Sequence, residues 1–270
     1  MKTARAAWKL VRLGTHLARG LWTVTFVFPR YTPTQKEEEI KAWALVLLGL
    51  IAIQLVVKGK PPEQGPVLLA ANHISWLDMV VLMASCPNRF VAKAEVRRWP
   101  LVGTLSAATG TLFVTRESPR DALRVVHQMA ECLKAGEVLT IFPEGTTSDG
   151  VQLLPFHANL FQAAISADAP VQPVALQFSD AASGQTSLAP CYIGDDTLLQ
   201  SIWRSLCAAP LCAEVSFGEP QRPLGRDRRA LARDTQAAVL ALRRTVQAPP
   251  ESTGSVLAGD AVQLPRKCLR

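Results

Sequence analysis

The sequence predicts an α/β protein with a single mixed, largely parallel sheet flanked by helices and a pair of basic helices ahead of it. Three observations carry that prediction. Short apolar runs such as PVLLAANH (66–73) and VLTIF (138–142) have the pattern of strands buried on both faces. They alternate with segments of helical character, the signature of strand–helix–strand units. Proline and glycine punctuate the joints, as at Pro61-Pro62, Gly65 and Gly136.

Residues 1–30 hold six cations (Lys2, Arg5, Lys9, Arg12, Arg19, Arg30) and no acid, with Trp8, Leu10, Leu13, Leu17, Leu21 and Trp22 among them. This composition predicts a helix lying in a membrane interface, with a core-packing helix carrying a solvated basic face as the alternative. A second helix is expected over Thr34–Leu50, opening after Pro33 with Glu37, Glu38 and Glu39 in its first turn. The apolar run AWALVLLGLIAI (42–53) ends at Gln54, short of the ~20 residues of a membrane span. Arg19 interrupts the apolar region as a signal peptide would not.

Strands are expected at IQLVVKGK (53–60), PVLLAANH (66–73), RFVAKAEV (89–96), TLFVTR (111–116), VLTIF (138–142) and VQPVALQF (171–178). Helices are expected at 75–85, from Ser118-Pro119 to Gly136, and at 228–245. The organisation is thus basic amphipathic or interfacial helices over 1–52, an α/β domain over 53–245, and a disordered tail over 246–270.

Net charge is +7, hydrophobic residues make up 49% and charged residues 19%. The basic excess suits an anionic surface. A nucleic-acid binder is disfavoured, because the basic cluster from Arg222 to Arg233 has no stacking aromatics around it. The six cysteines form no CxxC pair and read as reduced, mostly buried thiols. The four histidines share no metal-ligand spacing, so no metal is expected.

Two stretches place polar chemistry at strand ends, where sheet proteins of this class carry their sites. In NHISWLD (72–78), His73 precedes a helix whose first turn carries Asp78. A carboxylate that fixes the imidazole tautomer makes histidine a general base. With Ser75 as N-cap the two side chains can meet, yet Ser75-x-x-Asp78 is also a variant capping box, and the stretch alone does not choose. In FPEGTTSDG (142–150), Glu144 and Gly145 sit on a turn with Thr146, Thr147 and Ser148. There the backbone can approach a ligand closely and the polar groups can bind an acceptor. The spacing from Gly145 to Gly150 mimics a phosphate-binding loop, but Val151 stands in the lysine position, and no GxSxG elbow is present.

NHISWLD and FPEGTTSDG resemble the paired signature motifs, NHxxxxD and FPEGTRS, of glycerolipid acyltransferases of the lysophosphatidic acid acyltransferase type. FVAKAEV, GTLFVTR and VQPVAL are similar to the remaining blocks of that family, in the same order. The resemblance implies transfer of a fatty acyl group from acyl-CoA or acyl carrier protein to a lysolipid hydroxyl, without a resident cofactor. It implies His73 as general base and Asp78 as its partner. Asn72, Lys93, Arg116, Glu144, Gly145, Thr146 and Thr147 are implied around the substrates. It also implies membrane lipids as partners and attachment, without spanning, to the cytoplasmic membrane face. Where the family pattern has an arginine, this chain has Thr147. Lysophosphatidic acid acylation is therefore the first expectation, and a lyso-ornithine lipid or a lysophospholipid with a substituted phosphate the alternative. A non-catalytic membrane-binding protein would account for the basic helices but not for the paired motifs.

Overall fold

The computed structural model of the chain describes residues 2–115 and 119–247. Helix α1 (Lys2–Trp22) runs into a π-helical turn at Thr23–Val27 and a 3-10 turn at Phe28–Arg30, and α2 (Pro33–Leu50) follows. The remaining order is β1 (Ile53–Lys58), β2 (Val67–Ala71), α3 (Leu77–Ser85), β3 (Arg89–Lys93), α4 (Val102–Ala108) and β4 (Leu112–Val114). Then come α5 (Pro119–Lys134), β5 (Val138–Ile141), α6 (Gln162–Ser166), β6 (Val171–Asp180), α7 (Leu198–Cys207), β7 (Leu211–Phe217) and α8 (Arg228–Gln247).

The strands form one seven-stranded sheet in the order β1-β7-β6-β2-β5-β3-β4. Every neighbouring pair is parallel except β6 with β7. The sheet is mixed and largely parallel, as the sequence predicts. All five residues of β2 are buried, and they alternate between two cores. Leu69 and Ala71 face a cluster shared with α1, α2 and α3, whereas Leu68 and Ala70 face one shared with α5 and α8. A strand covered on both faces is apolar at every position, which is why VLLAA reads as a continuous run.

The N-terminal helices contribute Ala6, Leu13, Ala44, Leu47 and Leu48 to the first cluster, so they are part of the core packing rather than an appendage. Helix α2 starts one residue earlier than its sequence suggests. Thr32 is the N-cap, its hydroxyl accepts from Gln35 N–H while the Gln35 side chain accepts from Thr32 N–H, and Pro33 takes the first helical position. The capping box and the proline together outweigh the acidic run, which falls beyond the first turn. Within α1, Lys9 is withdrawn from the cationic set: its ammonium donates to the carbonyls of Ile51 (3.3 Å) and Leu206 (3.5 Å), at the ends of α2 and α7. No helix among the described residues is long and apolar enough to cross a membrane. Arg116 and the tail from residue 248 lie outside the described residues.

Candidate active site

Strand register builds the site. Along the β2–β5 ladder each residue pairs with the one 71 positions later, from Val67 with Val138 to Ala70 with Ile141. Carried past the strand ends, the same offset sets His73 opposite Glu144. The carboxylate of Glu144 turns back and accepts the His73 backbone N–H at 2.6 Å through Oε1, while Oε2 accepts from Leu154 N–H at 2.9 Å. The His73 carbonyl accepts from Ser148 N–H at 2.9 Å and from the Ser148 hydroxyl at 3.3 Å. Both backbone groups of the histidine are thus held by the turn after β5.

The imidazole is held as firmly. Its Nδ1 lies 2.7 Å from Asp78 Oδ2, and its ring stacks on Phe142 with centroids 4.0 Å apart and planes 16° from parallel. The same Oδ2 accepts the N–H groups of Ile74 (2.6 Å) and Ser75 (2.9 Å). Asp78 therefore serves both readings that its sequence position leaves open, capping the turn and orienting the histidine. With Nδ1–H donated to this fully buried carboxylate, Nε2 carries the free lone pair. Ser75 caps the turn into α3 as expected of it, its N–H donating to Asp78 Oδ2 (2.9 Å). Its hydroxyl donates to the Pro190 carbonyl (2.6 Å) and accepts from Leu77 N–H (3.2 Å), and Trp76 precedes the first helical residue.

Asn72 is 1% exposed and does not line the cavity that His73 faces. Its amide imitates a peptide unit, donating to the Leu176 carbonyl (3.0 Å) and accepting from Leu176 N–H (2.7 Å). It extends the β2–β6 ladder by one side chain, which places it in support of the turn. Glu144 is likewise absent from the cavity wall and spends both oxygens on backbone, so the resemblance's substrate-binding role for it becomes one of positioning His73. Burial pushes its carboxyl above the ordinary value, against the lowering effect of the His73 and Leu154 N–H groups and the charges of His73 and Arg243.

His73 opens on a cavity of about 460 Å³ whose walls are largely apolar, supplied by α1, α2, α3, α4 and the strand ends between them. Leu13, Leu17, Trp43, Met79, Met83 and Leu105 are among its lining. Lys93, Gly145, Thr146 and Thr147 line it too, together with Glu39 and Glu95. Gly145 has φ +74, a conformation in which a side chain is strained. The Thr147 hydroxyl donates to the Tyr192 carbonyl. No group of three or more potential metal-ligating side chains occurs among the described residues. The described cysteines are all free, with the buried Cys86 thiol pushed up to about 12 and Cys191 to about 11.

Several contributors went unassigned in the sequence. Phe142 and Ser148 stand inside the second motif, but their roles need the fold. Tyr192 carries no sequence signal. Arg243 of α8 carries one: Leu231, Thr235, Val239 and Arg243 recur every four residues on the buried face of that helix, so an arginine occupies a core position.

The comparisons agree with this architecture. A family model described as Acyltransferase matches residues 53–177. Lyso-ornithine lipid O-acyltransferase from Pseudomonas aeruginosa is 39% identical over 231 residues, covering 85% of this chain and 88% of that protein. 1-Acyl-sn-glycerol-3-phosphate acyltransferase from Neisseria gonorrhoeae is 38% identical over 187 residues, covering 68% of this chain and 72% of its own. The crystal structure of the 1-acyl-sn-glycerophosphate acyltransferase of Thermotoga maritima shares the fold, with a TM-score of 0.67 at 19% identity over 92% of this chain and 97% of that one. The chain belongs to the acyltransferase family that includes the lysophosphatidic acid acyltransferases and the lyso-ornithine lipid acyltransferases.

Proposed function

We propose that this chain transfers a fatty acyl group from the thioester of acyl-CoA or acyl carrier protein to the free hydroxyl of a lysolipid, working at a membrane surface. The observation that carries the reading is the His73–Asp78 pair, 2.7 Å apart, at the head of a largely apolar cavity. His73 Nε2 takes the proton of the acceptor hydroxyl as its oxygen attacks the thioester carbonyl. Asp78 stabilises the imidazolium that forms, without taking the proton itself. The tetrahedral intermediate collapses with cleavage of the carbon–sulfur bond, and the thiolate recovers the proton from the imidazolium. The ester and the free thiol leave, and no covalent enzyme intermediate is needed. The apolar cavity suits a fatty chain, since each buried CH₂ contributes roughly 0.8 kcal/mol.

For the acceptor we favour a headgroup other than a phosphate monoester. A guanidinium clamps a dianionic phosphate through two parallel hydrogen bonds, and the threonine at position 147 offers none. Its hydroxyl proton is already directed to Tyr192. Among the described residues, the lysine and glutamates on the cavity wall are of both signs, Lys93 with Glu39 and Glu95, which suits a zwitterion better than a dianion. An ornithine headgroup, with one carboxylate and one ammonium, has that character. The test is competition between lysophosphatidic acid and lyso-ornithine lipid at equal concentration, with a labelled acyl donor. The expected result is a higher kcat/KM for lyso-ornithine lipid, and Thr147→Arg should shift the ratio toward the phosphate. A clear preference of the unaltered protein for lysophosphatidic acid overturns this choice of acceptor, and no transfer to any lysolipid overturns the activity.

A further inference from the structure

We infer that α8, which lies wholly beyond the stretch matched by the family model, is a positioning element of the active site, with Arg243 and Gln236 clamping the segment that holds Glu144 against His73. The inference rests on the acyl-transfer reading for its kinetic test, but the geometry stands by itself. Gln236 and Arg243 are seven residues apart, two turns of one helix face. Arg243 is 5% exposed, and its Nη2 donates to the carbonyl of Gly150 and, at 3.2 Å, to that of Val151. Gln236 Nε2 donates to the Leu154 carbonyl at 3.2 Å. The two side chains thus grip both ends of the segment 150–154.

That segment reaches the histidine by two routes. Leu154 N–H donates to Glu144 Oε2, and Glu144 Oε1 accepts from His73 N–H. The chain of contacts therefore runs from Gln236 through one peptide residue and one carboxylate to the catalytic backbone. The second route is steric. Gly150 packs so closely on Ile74, the residue after His73, that a Cβ there would sit 2.8 Å from Ile74 Cδ1. Gln236, Arg243 and Leu154 all lie off the cavity wall.

A buried guanidinium is an expensive way to hold two carbonyls unless its charge is also used. Burial pushes the Arg243 guanidinium below its ordinary value, and the neighbouring carboxylates Glu144 and Asp149 oppose that cost. In return Arg243, together with His73 and two backbone N–H groups, favours the ionised form of Glu144, the form that accepts two hydrogen bonds at once.

The test compares Arg243→Met, Arg243→Lys and Gln236→Leu in the full chain, with kinetics and amide hydrogen exchange as readouts. Arg243→Met should lower kcat about 10- to 100-fold with little change in acceptor KM, since a small misplacement of catalytic geometry has effects of that size. Arg243→Lys, which keeps the charge, should restore part of kcat. In a Glu144→Gln background Arg243→Met should have a smaller further effect, limited to the route through Gly150 and Ile74. Exchange of the His73 and Leu154 amides should quicken in Arg243→Met and Gln236→Leu, while the amides of β2 stay protected. Exchange does not depend on turnover, so a protein inactive toward every lysolipid would sink the activity and still test the clamp. Wild-type kcat and exchange in Arg243→Met, or full additivity with Glu144→Gln, overturns the proposal. Should Arg243→Met fail to fold, Gln236→Leu decides: unchanged exchange at Leu154 and His73 overturns it.

Discussion

At the scale of single residues, Asp78 Oδ2 accepts from the His73 ring and from two backbone N–H groups, so substitutions at 73 and 78 separate chemistry from folding. His73→Ala removes the proposed general base and should lower turnover by ~10²–10⁴-fold, with a smaller cost in stability than at position 78, since Asp78 keeps its two backbone donors. Asp78→Asn should lose turnover as well, and in addition lose ~1–3 kcal/mol of stability, because a neutral amide oxygen accepts the three bonds more weakly and the amide NH₂ takes the buried place of Oδ1, which has no partner. Equal midpoints for the two variants would mean that the carboxylate does not hold the turn. Glu144 gives a pH-dependent prediction. Its carboxyl is raised by burial from an ordinary value of 4.5, so the folded chain binds that proton more readily than the unfolded one. Its contribution favours folding below the ordinary value and is lost as pH rises through the higher folded value. The melting-temperature difference between wild type and Glu144→Gln, followed from about pH 4 to about pH 7, should therefore tilt toward wild type at the acid end. A flat difference would show that burial does not raise this group. The identities of His73, Asp78 and Glu144 were legible in the sequence because strand-end polar residues stand out against apolar runs. The division of labour among them was not. Whether an oxygen faces a cavity or a backbone N–H depends on strand register, and local sequence does not fix which strands neighbour each other.

Secondary elements tell a similar story about which signals survive into three dimensions. The buried strands β2 and β5 and the long α5 were readable as runs and periods. β7 carries a fainter sequence signal: Leu211, Ala213 and Val215 alternate with the less buried Cys212 and Glu214, which dilute the apolar run. α7 is faint as well, despite a capping box at Thr197 and Gln200. Its ten residues are short for a periodicity argument. Long-range pairing is also invisible locally: β1 and β2 follow one another in the chain, yet β7 and β6 lie between them in the sheet. The junction of α1 with α2 offers a test at this scale. His16 and Trp43 stack at 5.0 Å and exchange bonds with each other's carbonyls, at 3.0 Å and 3.4 Å. Gly20 lies against the same indole, where an added Cβ would sit 2.6 Å from Trp43 Nε1. Gly20→Ala should therefore push Trp43 out of the cavity wall and destabilise the protein by ~1–3 kcal/mol. Gly14→Ala is the control, since nothing lies within 4 Å of its Cβ position and the helix gains ~0.5–1 kcal/mol from the better helix former. Urea midpoints that move in the same direction for both variants would refute the packing argument.

For the molecule as a whole, the proposed work at a membrane surface calls for a face that suits lipid, since no described helix can cross a bilayer. Composition alone points to the basic first helix, and the folded structure sorts its faces. Ala6, Leu13 and Leu17 pack inward, while Trp8, Val11 and Trp22 are 64%, 58% and 59% exposed, with Phe26 beyond them at 56%. Residues 8, 11 and 22 share a helix face at the three- and four-residue spacing, so the exposed tryptophans form a stripe rather than scattered contacts. Arg5, Arg12 and Arg19 recur every seven residues and are all exposed, which aligns three cations beside that stripe. Such a surface suits a bilayer interface, with indoles at the headgroup level and guanidinium groups on lipid phosphates. Lys9 is excluded from this set by its bonds to the ends of α2 and α7, although composition would count it among the lipid-facing charges. Replacing Arg5, Arg12 and Arg19 by glutamine should weaken binding to anionic vesicles by ~1 kcal/mol for each cation lost, about two orders of magnitude in all. The loss should shrink as salt is raised, because screening weakens the remaining attraction. Lys9→Gln should act differently, lowering the unfolding midpoint through the lost carbonyl contacts and leaving vesicle affinity nearly unchanged. Sedimentation with vesicles of graded anionic lipid content measures both effects. A triple variant that binds like wild type, or a Lys9→Gln variant that loses as much vesicle affinity as Arg12→Gln, would show that the membrane meets some other face of the molecule.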